Sequence, residues 1–152
     1  MSKIFKYTTM LNENRISKLV KEKCIEYDHG AVIDSAEAAA GVLETVFKLS
    51  KRPQELFCML ALGSGREVKG VFELTKGTLT SSLVHPREVF APAMLAGAAS
   101  IIIGHNHPSG KLSISAQDKE VSRTIKQAGE LLGIRLDDHI VIGINGNYVS
   151  AM

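Results

Sequence analysis

The chemistry of this chain is concentrated between Ile101 and Asp118. An apolar run, Ile101-Ile102-Ile103-Gly104, leads into His105-Asn106-His107-Pro108, and a Ser/Gly-containing loop then reaches Ser115 and Asp118. Three consecutive β-branched residues favour a buried strand. Side chains on a strand alternate between faces, so His105 and His107 share a face if extended backbone persists that far; on a helix the same spacing splays them apart. Two imidazoles and a carboxylate supply three metal ligands and leave a fourth tetrahedral position for water, as in a catalytic rather than a closed structural zinc site. Ser115 and Asp118 also fit a Ser-x-x-Asp helix cap, which by itself accounts for both residues. The two readings are compatible, because a helix start is a rigid place from which to present a carboxylate.

The pattern His105-x-His107-Pro108 followed by Ser115-x-x-Asp118 resembles the JAMM (JAB/MPN) metalloprotease motif at every defining position. The blocks "VHPREVF" at 84–90, "HNHPSG" at 105–110 and "LGIRLDDHIVIG" at 132–143 narrow the resemblance to the RadC-like branch. It extends over most of the chain, residues 34–150. The resemblance implies an α/β fold in which helices pack on a mixed β-sheet, the JAB/MPN (cytidine-deaminase-like) architecture. It further implies a Zn2+ ion on His105, His107 and Asp118, and cleavage of a peptide or isopeptide bond by a metal-activated water. Ser115 matches the family serine that hydrogen-bonds to the developing oxyanion.

Water on such an ion has its pKa lowered toward neutrality, but a base must still take its proton and deliver it to the leaving amine. Glu55, Glu67, Glu73 and Glu88 are candidates among which spacing does not choose. The family places this glutamate at the start of a core strand before the metal motif, which here corresponds to Glu55 in "QELFCML". Two features depart from the family pattern. Cys58 stands where many JAB isopeptidases have glycine, and Lys111-Leu112 where many RadC-like chains have Asp-Pro; neither removes a ligand. Of the other histidines, His85 reads as structural and His29 sits in a loop without a signal. His139 follows Asp137 and Asp138 at the head of an apolar strand and reads as structural or as an imidazole oriented by a carboxylate near the site. Asn106 is expected to point away from its histidine neighbours and brace the loop.

A chain of 152 residues, 45% hydrophobic and 22% charged, fits one soluble globular domain. It contains no apolar run of about 18 residues, so no membrane span is expected, and the start "MSKIFKYTTMLNENR" lacks the apolar core of a secretory signal. Cys24 and Cys58 are expected to be buried free thiols, consistent with a reducing cytoplasm. The net charge of +2 is uneven. Lys3, Lys6, Arg15, Lys18, Lys21 and Lys23 face Glu13 and Glu22 within the first 23 residues, a balance of +4 against −2 for the remainder. Such an arm suits a solvated face better than a nucleic-acid platform, since no aromatic residues interleave with its charges as single-strand stacking requires. The expected organisation is a short basic N-terminal extension, 1–33, followed by the RadC-like JAB/MPN domain, 34–152.

The elements that must position these residues alternate along the chain. Residues 3–9 read as a strand and 14–24 as a short basic helix. Asp34 and Glu37 read as a capping box for a helix with Ala39, Val42, Val46 and Leu49 on its apolar face. Residues 55–62 are apolar on both alternate sets, as in a central strand, and Gly63-Ser64-Gly65 turns into a second strand at 67–75. Gly77 begins another extended segment to about Val84. Pro86 suits the first position of the next helix, which Pro92 either kinks or delays to near Ala91. A strand at 100–104, the metal loop, and a helix at 115–132 follow, with Val121, Ile125, Ala128 and Leu132 on its inner face and Gly133 as its stop. Strands near 135–143 and 147–151, turned at Asn145-Gly146, complete the sheet.

Three function classes are distinguished. The intact ligand set, Ser115 and Glu55 favour a zinc-dependent peptidase or isopeptidase acting on a peptide or protein substrate. A DNA-repair-associated role draws on the label carried by RadC relatives, but their longer members have a helix-hairpin-helix region for which the residues before Asp34 leave no room. A non-catalytic MPN-type interaction module generally loses its ligands, and these are present. Oligomeric state is not encoded in any motif of the chain.

Overall fold

A computed structural model describes residues 2–77 and 84–152. Strands β1 (Ser2–Leu11) and β2 (Ser17–Tyr27) precede helix α1 (Ala36–Phe47); β3 (Leu56–Leu62) and β4 (Val68–Lys76) precede α2 (Pro86–Leu95). Then follow β5 (Ser100–Asn106), α3 (Ala116–Leu132), β6 (Arg135–Ile142) and β7 (Tyr148–Ser150). The strands form one mixed sheet in the order β2-β1-β4-β3-β5-β6-β7. β1 runs parallel to β4 and β5 parallel to β6, while the other neighbours are antiparallel. This is the helix-covered α/β sheet expected from the sequence.

Strand parity divides the core into two layers. Leu56, Cys58, Leu60 and Leu62 of β3 join Ile102, Ile140 and Ile142 beneath α1, which contributes Ala39, Val42, Leu43 and Phe47. Phe57, Met59 and Ala61 join Ile101 and Ile103 on the other face, under Val89, Phe90 and Ala93 of α2 and Ile125 of α3. Both faces of β3 and β5 are therefore buried, which is why these strands read as unbroken apolar runs. Odd-numbered residues of β5 face α3 and even-numbered ones face α1. This parity aims the histidines.

Residues 17–27 form a strand, not the basic helix expected at 14–24. They pair with β1 as a hairpin and make an outer edge of the sheet, interrupted by a bulge where Lys6 pairs with Lys23 and Tyr7 with Lys21. Lysines and glutamates favour helices when isolated, but along an exposed edge strand they serve to discourage edge-to-edge association. The cap of α1 is Ser35 rather than Asp34: its Oγ accepts from the Ala38 N–H at 3.1 Å. α2 begins with Pro86 and continues through Pro92 to Leu95. Of the segment expected between Gly77 and Val84, residues 78–83 lie outside the described residues. α3 stops at Gly133 (φ 75°), and Asn145 and Gly146 both take positive φ between β6 and β7. Both cysteines are free, but Cys24 is exposed on β2 rather than buried; only Cys58 lies in the core. Among the described residues, no helix is long and apolar enough to cross a membrane.

Gly104 is the point where α1 comes closest to the histidine strand. A Cβ there would lie 2.4 Å from Leu43 Cδ1 and 3.1 Å from Cδ2, and Leu43 is fully buried. Gly104→Ala should therefore destabilise the fold by about 1–3 kcal/mol through overpacking. Urea denaturation checks this, and an unchanged midpoint would show that α1 can retreat freely.

Candidate metal centre

His105 lies on β5 facing α3, and its ring stacks on that of its direct cross-strand neighbour Phe57, with centroids 4.4 Å apart and planes inclined by 18°. The sheet assignment ends at Asn106, yet the His107 N–H still donates to the Ile142 carbonyl of β6 at 3.0 Å. Extended backbone thus persists for one further residue and places both imidazoles on one side, their Nε2 atoms 3.2 Å apart. The chain then turns, Gly110 N–H donating to the His107 carbonyl at 2.8 Å, and returns to begin α3.

Ser115 and Asp118 close a reciprocal capping box at that helix start. Ser115 Oγ accepts from the Asp118 N–H, and the Ser115 N–H donates to Asp118 Oδ2, both at 3.0 Å. The same carboxylate reaches the histidines: Oδ1 lies 3.1 Å from His105 Nε2 and Oδ2 3.1 Å from His107 Nε2. The cap and the ligand reading of Asp118 are one arrangement. Burial pushes the Asp118 carboxyl up, but its contacts with the His105 ring and with the Ser115 backbone N–H outweigh this and hold the group well below the usual carboxylate range.

The donor set fits a metal ion. His105, His107 and Asp118 each turn one ligand atom toward a common point, all within 4.8 Å of one another. Bonds of about 2.0–2.1 Å at tetrahedral angles separate adjacent ligand atoms by roughly 3.3 Å, close to the 3.1–3.2 Å observed here. The ring of His107 is already oriented for this, since its Nδ1 lies 2.9 Å from the Lys111 carbonyl oxygen. A carbonyl only accepts, so that nitrogen carries the proton and Nε2 presents a lone pair.

The centre is buried on one side and open on the other. The His105 side chain is fully buried, whereas His107 is 17% exposed and borders a cleft of about 510 Å³. Among the described residues, Pro53, Gln54, Glu55, Gly77, Pro108 and Ser109 also line it. Glu55 immediately precedes β3, and its carbonyl accepts from the Gly77 N–H at 2.7 Å. Asn106, buried on the α1 side, fastens this stretch to the histidine strand: its Oδ1 accepts from Leu56 N–H at 2.7 Å and its Nδ2 donates to the carbonyls of Gln54 and Arg52. The brace expected of Asn106 thus falls on the segment carrying Glu55. Glu55 and His107 share the cleft, and Ser115 reaches the centre through its cap on Asp118.

Two other histidines lie outside the donor set. His85 is exposed at the start of α2. His139 is fully buried on β6, but no carboxylate orients its ring: Nε2 lies 2.8 Å from His105 Nδ1, and Nδ1 lies 2.6 Å from Ser122 Oγ. The Asp138 carboxylate accepts instead from the His139 backbone N–H and from Ser150 Oγ. Burial, reinforced by His105, pushes the His139 pKa down to about 3. Ser122 was not singled out by sequence reasoning. Val121, Ile125 and Ala128 of α3 pack on the core as expected, Asp118, Ser122 and Gly129 are buried beside them, and Leu132 is exposed. The available signal was a serine one helical turn after the carboxylate.

Because the folded protein holds Asp118 ionised below the pH at which an unfolded aspartate protonates, it adds stability above about pH 4 that is lost as the pH falls further. Urea midpoints measured in chelator should therefore fall more steeply from pH 5 to pH 3 for the wild type than for Asp118→Asn. Equal acid dependence would contradict this assignment.

Residues 33–152 match the family model of the RadC-like JAB domain. The chain is 41% identical over 112 residues to a UPF0758 protein of Rubrobacter xylanophilus, covering 74% of this chain and 48% of that protein. It is 45% identical over 103 residues to a UPF0758 protein of Trichlorobacter lovleyi (68% and 44%), and 42% identical over 119 residues to one of Thermosynechococcus vestitus (78% and 46%). The matched region thus spans less than half the length of these relatives. With its family motif residues gathered around one centre, the chain belongs to the RadC-like JAB domain family.

Proposed function

We propose that this protein is a JAMM-type metallohydrolase that cleaves peptide or isopeptide bonds. The observation that carries the reading is the convergence of His105 Nε2, His107 Nε2 and an Asp118 carboxylate oxygen beside an open cleft whose wall includes Glu55. Imidazole and carboxylate donors at this separation suit Zn2+. When bound there, zinc supplies a water of near-neutral pKa and polarises the scissile carbonyl.

The chain's own groups divide the remaining work. Glu55, held at the head of β3 by the Asn106 brace behind it, takes the proton of the attacking water and returns it to the leaving amine. Ser115 uses a lone pair to cap α3, which leaves its hydroxyl proton to donate to the oxyanion developing on the substrate. His105, sealed beneath Phe57, keeps the inner side of the centre dry, while His107 and the cleft admit the substrate. The two free cysteines suit a reducing, cytoplasmic setting.

The zinc-loaded protein should cleave members of a proteome-derived peptide library or lysine-linked isopeptides, read by mass spectrometry. Glu55→Gln should retain its metal and lose about 100- to 10,000-fold in turnover. Ser115→Ala should lose on the order of 100- to 1,000-fold, with up to about 2 kcal/mol of stability lost with the cap. Undiminished turnover in Glu55→Gln would remove Glu55 from the mechanism, and no cleavage by the zinc-loaded wild type would overturn the hydrolase reading.

A further inference from the structure

A second row of polar groups runs inward from His105, away from the cleft. His105 Nδ1 contacts His139 Nε2 at 2.8 Å, His139 Nδ1 contacts Ser122 Oγ at 2.6 Å, and Ser122 Oγ donates to the Ala151 carbonyl at 3.2 Å. All three side chains are buried, and the two histidine residues are inaccessible to solvent. They come from three elements: His105 from β5, His139 from β6 and Ser122 from α3, one turn beyond Asp118.

Two proton orders satisfy the row, and only one of them leaves a lone pair on His105 Nε2 for a metal. Given to the Ala151 carbonyl, which only accepts, the single Ser122 hydroxyl proton is no longer available to His139. Ser122 Oγ must then accept from His139 Nδ1–H. A neutral imidazole has one N–H, so His139 Nε2 presents a lone pair and accepts from His105 Nδ1–H. His105 is left with a lone pair on Nε2, the atom that faces His107 and Asp118.

We infer that Ser122 and His139 form a positioning relay that locks His105 in the tautomer able to bind a metal, with the proton order set by the Ala151 backbone carbonyl. This rests on the metal reading of the centre and adds to it two residues that touch neither metal nor substrate. A ligating histidine ordinarily passes its second N–H to a carboxylate, carbonyl or water; here it passes to a second imidazole whose own proton is fixed from behind. α3 consequently holds the centre twice, through Asp118 directly and through Ser122 by way of two rings. Without the Ser122 hydroxyl, the His139 proton is free to move to Nε2. It then donates to His105 Nδ1 and drives the His105 proton onto Nε2, between the ligand atoms.

The test combines zinc affinity, measured by competition with a chromophoric chelator, and histidine tautomers, read from long-range 1H–15N spectra of the metal-free protein. In the wild type, His105 and His139 should each carry a proton on Nδ1. In Ser122→Ala the His139 proton should move to Nε2 and zinc should bind about 10- to 100-fold more weakly, while the melting temperature of the metal-free protein changes little. Ser122→Thr, which keeps the hydroxyl, should restore both readouts. A wild-type His105 protonated only on Nε2, or a Ser122→Ala variant that binds zinc as tightly as wild type, would overturn the relay. A wild type that shows the relay tautomers yet takes up no zinc would instead overturn the metal reading.

Discussion

Two imidazole nitrogens and a carboxylate are turned toward one another at 3.1–3.2 Å, and this crowding of acceptors is the interaction on which the rest of the structure depends. The Lys111 carbonyl fixes the proton of His107 on its far nitrogen, and the row through His139 does the same for His105. Two imidazoles and a carboxylate gathered in a largely buried place leave room for a cation to gain from all three at once. Each donor is held there by something rigid: a central strand, a backbone bond to β6, and a helix cap. The protein maintains a geometry that suits a metal ion.

The sheet makes this possible through parity. With β5 buried on both faces, its odd positions point to α3 and its even positions to α1, and a slip by one residue would exchange His105 with Asn106. Asn106 uses its opposite orientation to tie the Glu55 segment to the histidine strand by three hydrogen bonds, so the two sides of the cleft share one support. Gly104 lets α1 approach the strand just before the histidines. The α1 layer holds the sheet in register, and the α2/α3 layer builds the centre.

What could be read from the sequence was what depends on local spacing. The Ile101–Ile103 run announces a buried strand, its period places His105 and His107 together, and Ser115-x-x-Asp118 announces the helix start that carries the carboxylate. β2 escaped because an edge strand with most of its residues exposed has no apolar period, and its lysines and glutamates imitate a helix. The apolar residues of α3 gave Val121, Ile125 and Ala128 of its inner face, but not polar Asp118 and Ser122, which are buried beside them because the centre holds them. Nothing local connects positions 105, 122, 139 and 151; their contacts come from the parallel pairing of β5 with β6 and the return of the chain along β7.

The central claim is that the three convergent acceptors hold a metal ion. Its most direct test is elemental analysis of protein purified without added metal and without a histidine tag, beside His107→Ala and Asp118→Ala. The account predicts about one zinc per chain in the wild type and none in either variant. A metal-free wild type whose melting temperature does not rise on adding zinc would contradict it, and would reduce Ser115 and Asp118 to a helix cap.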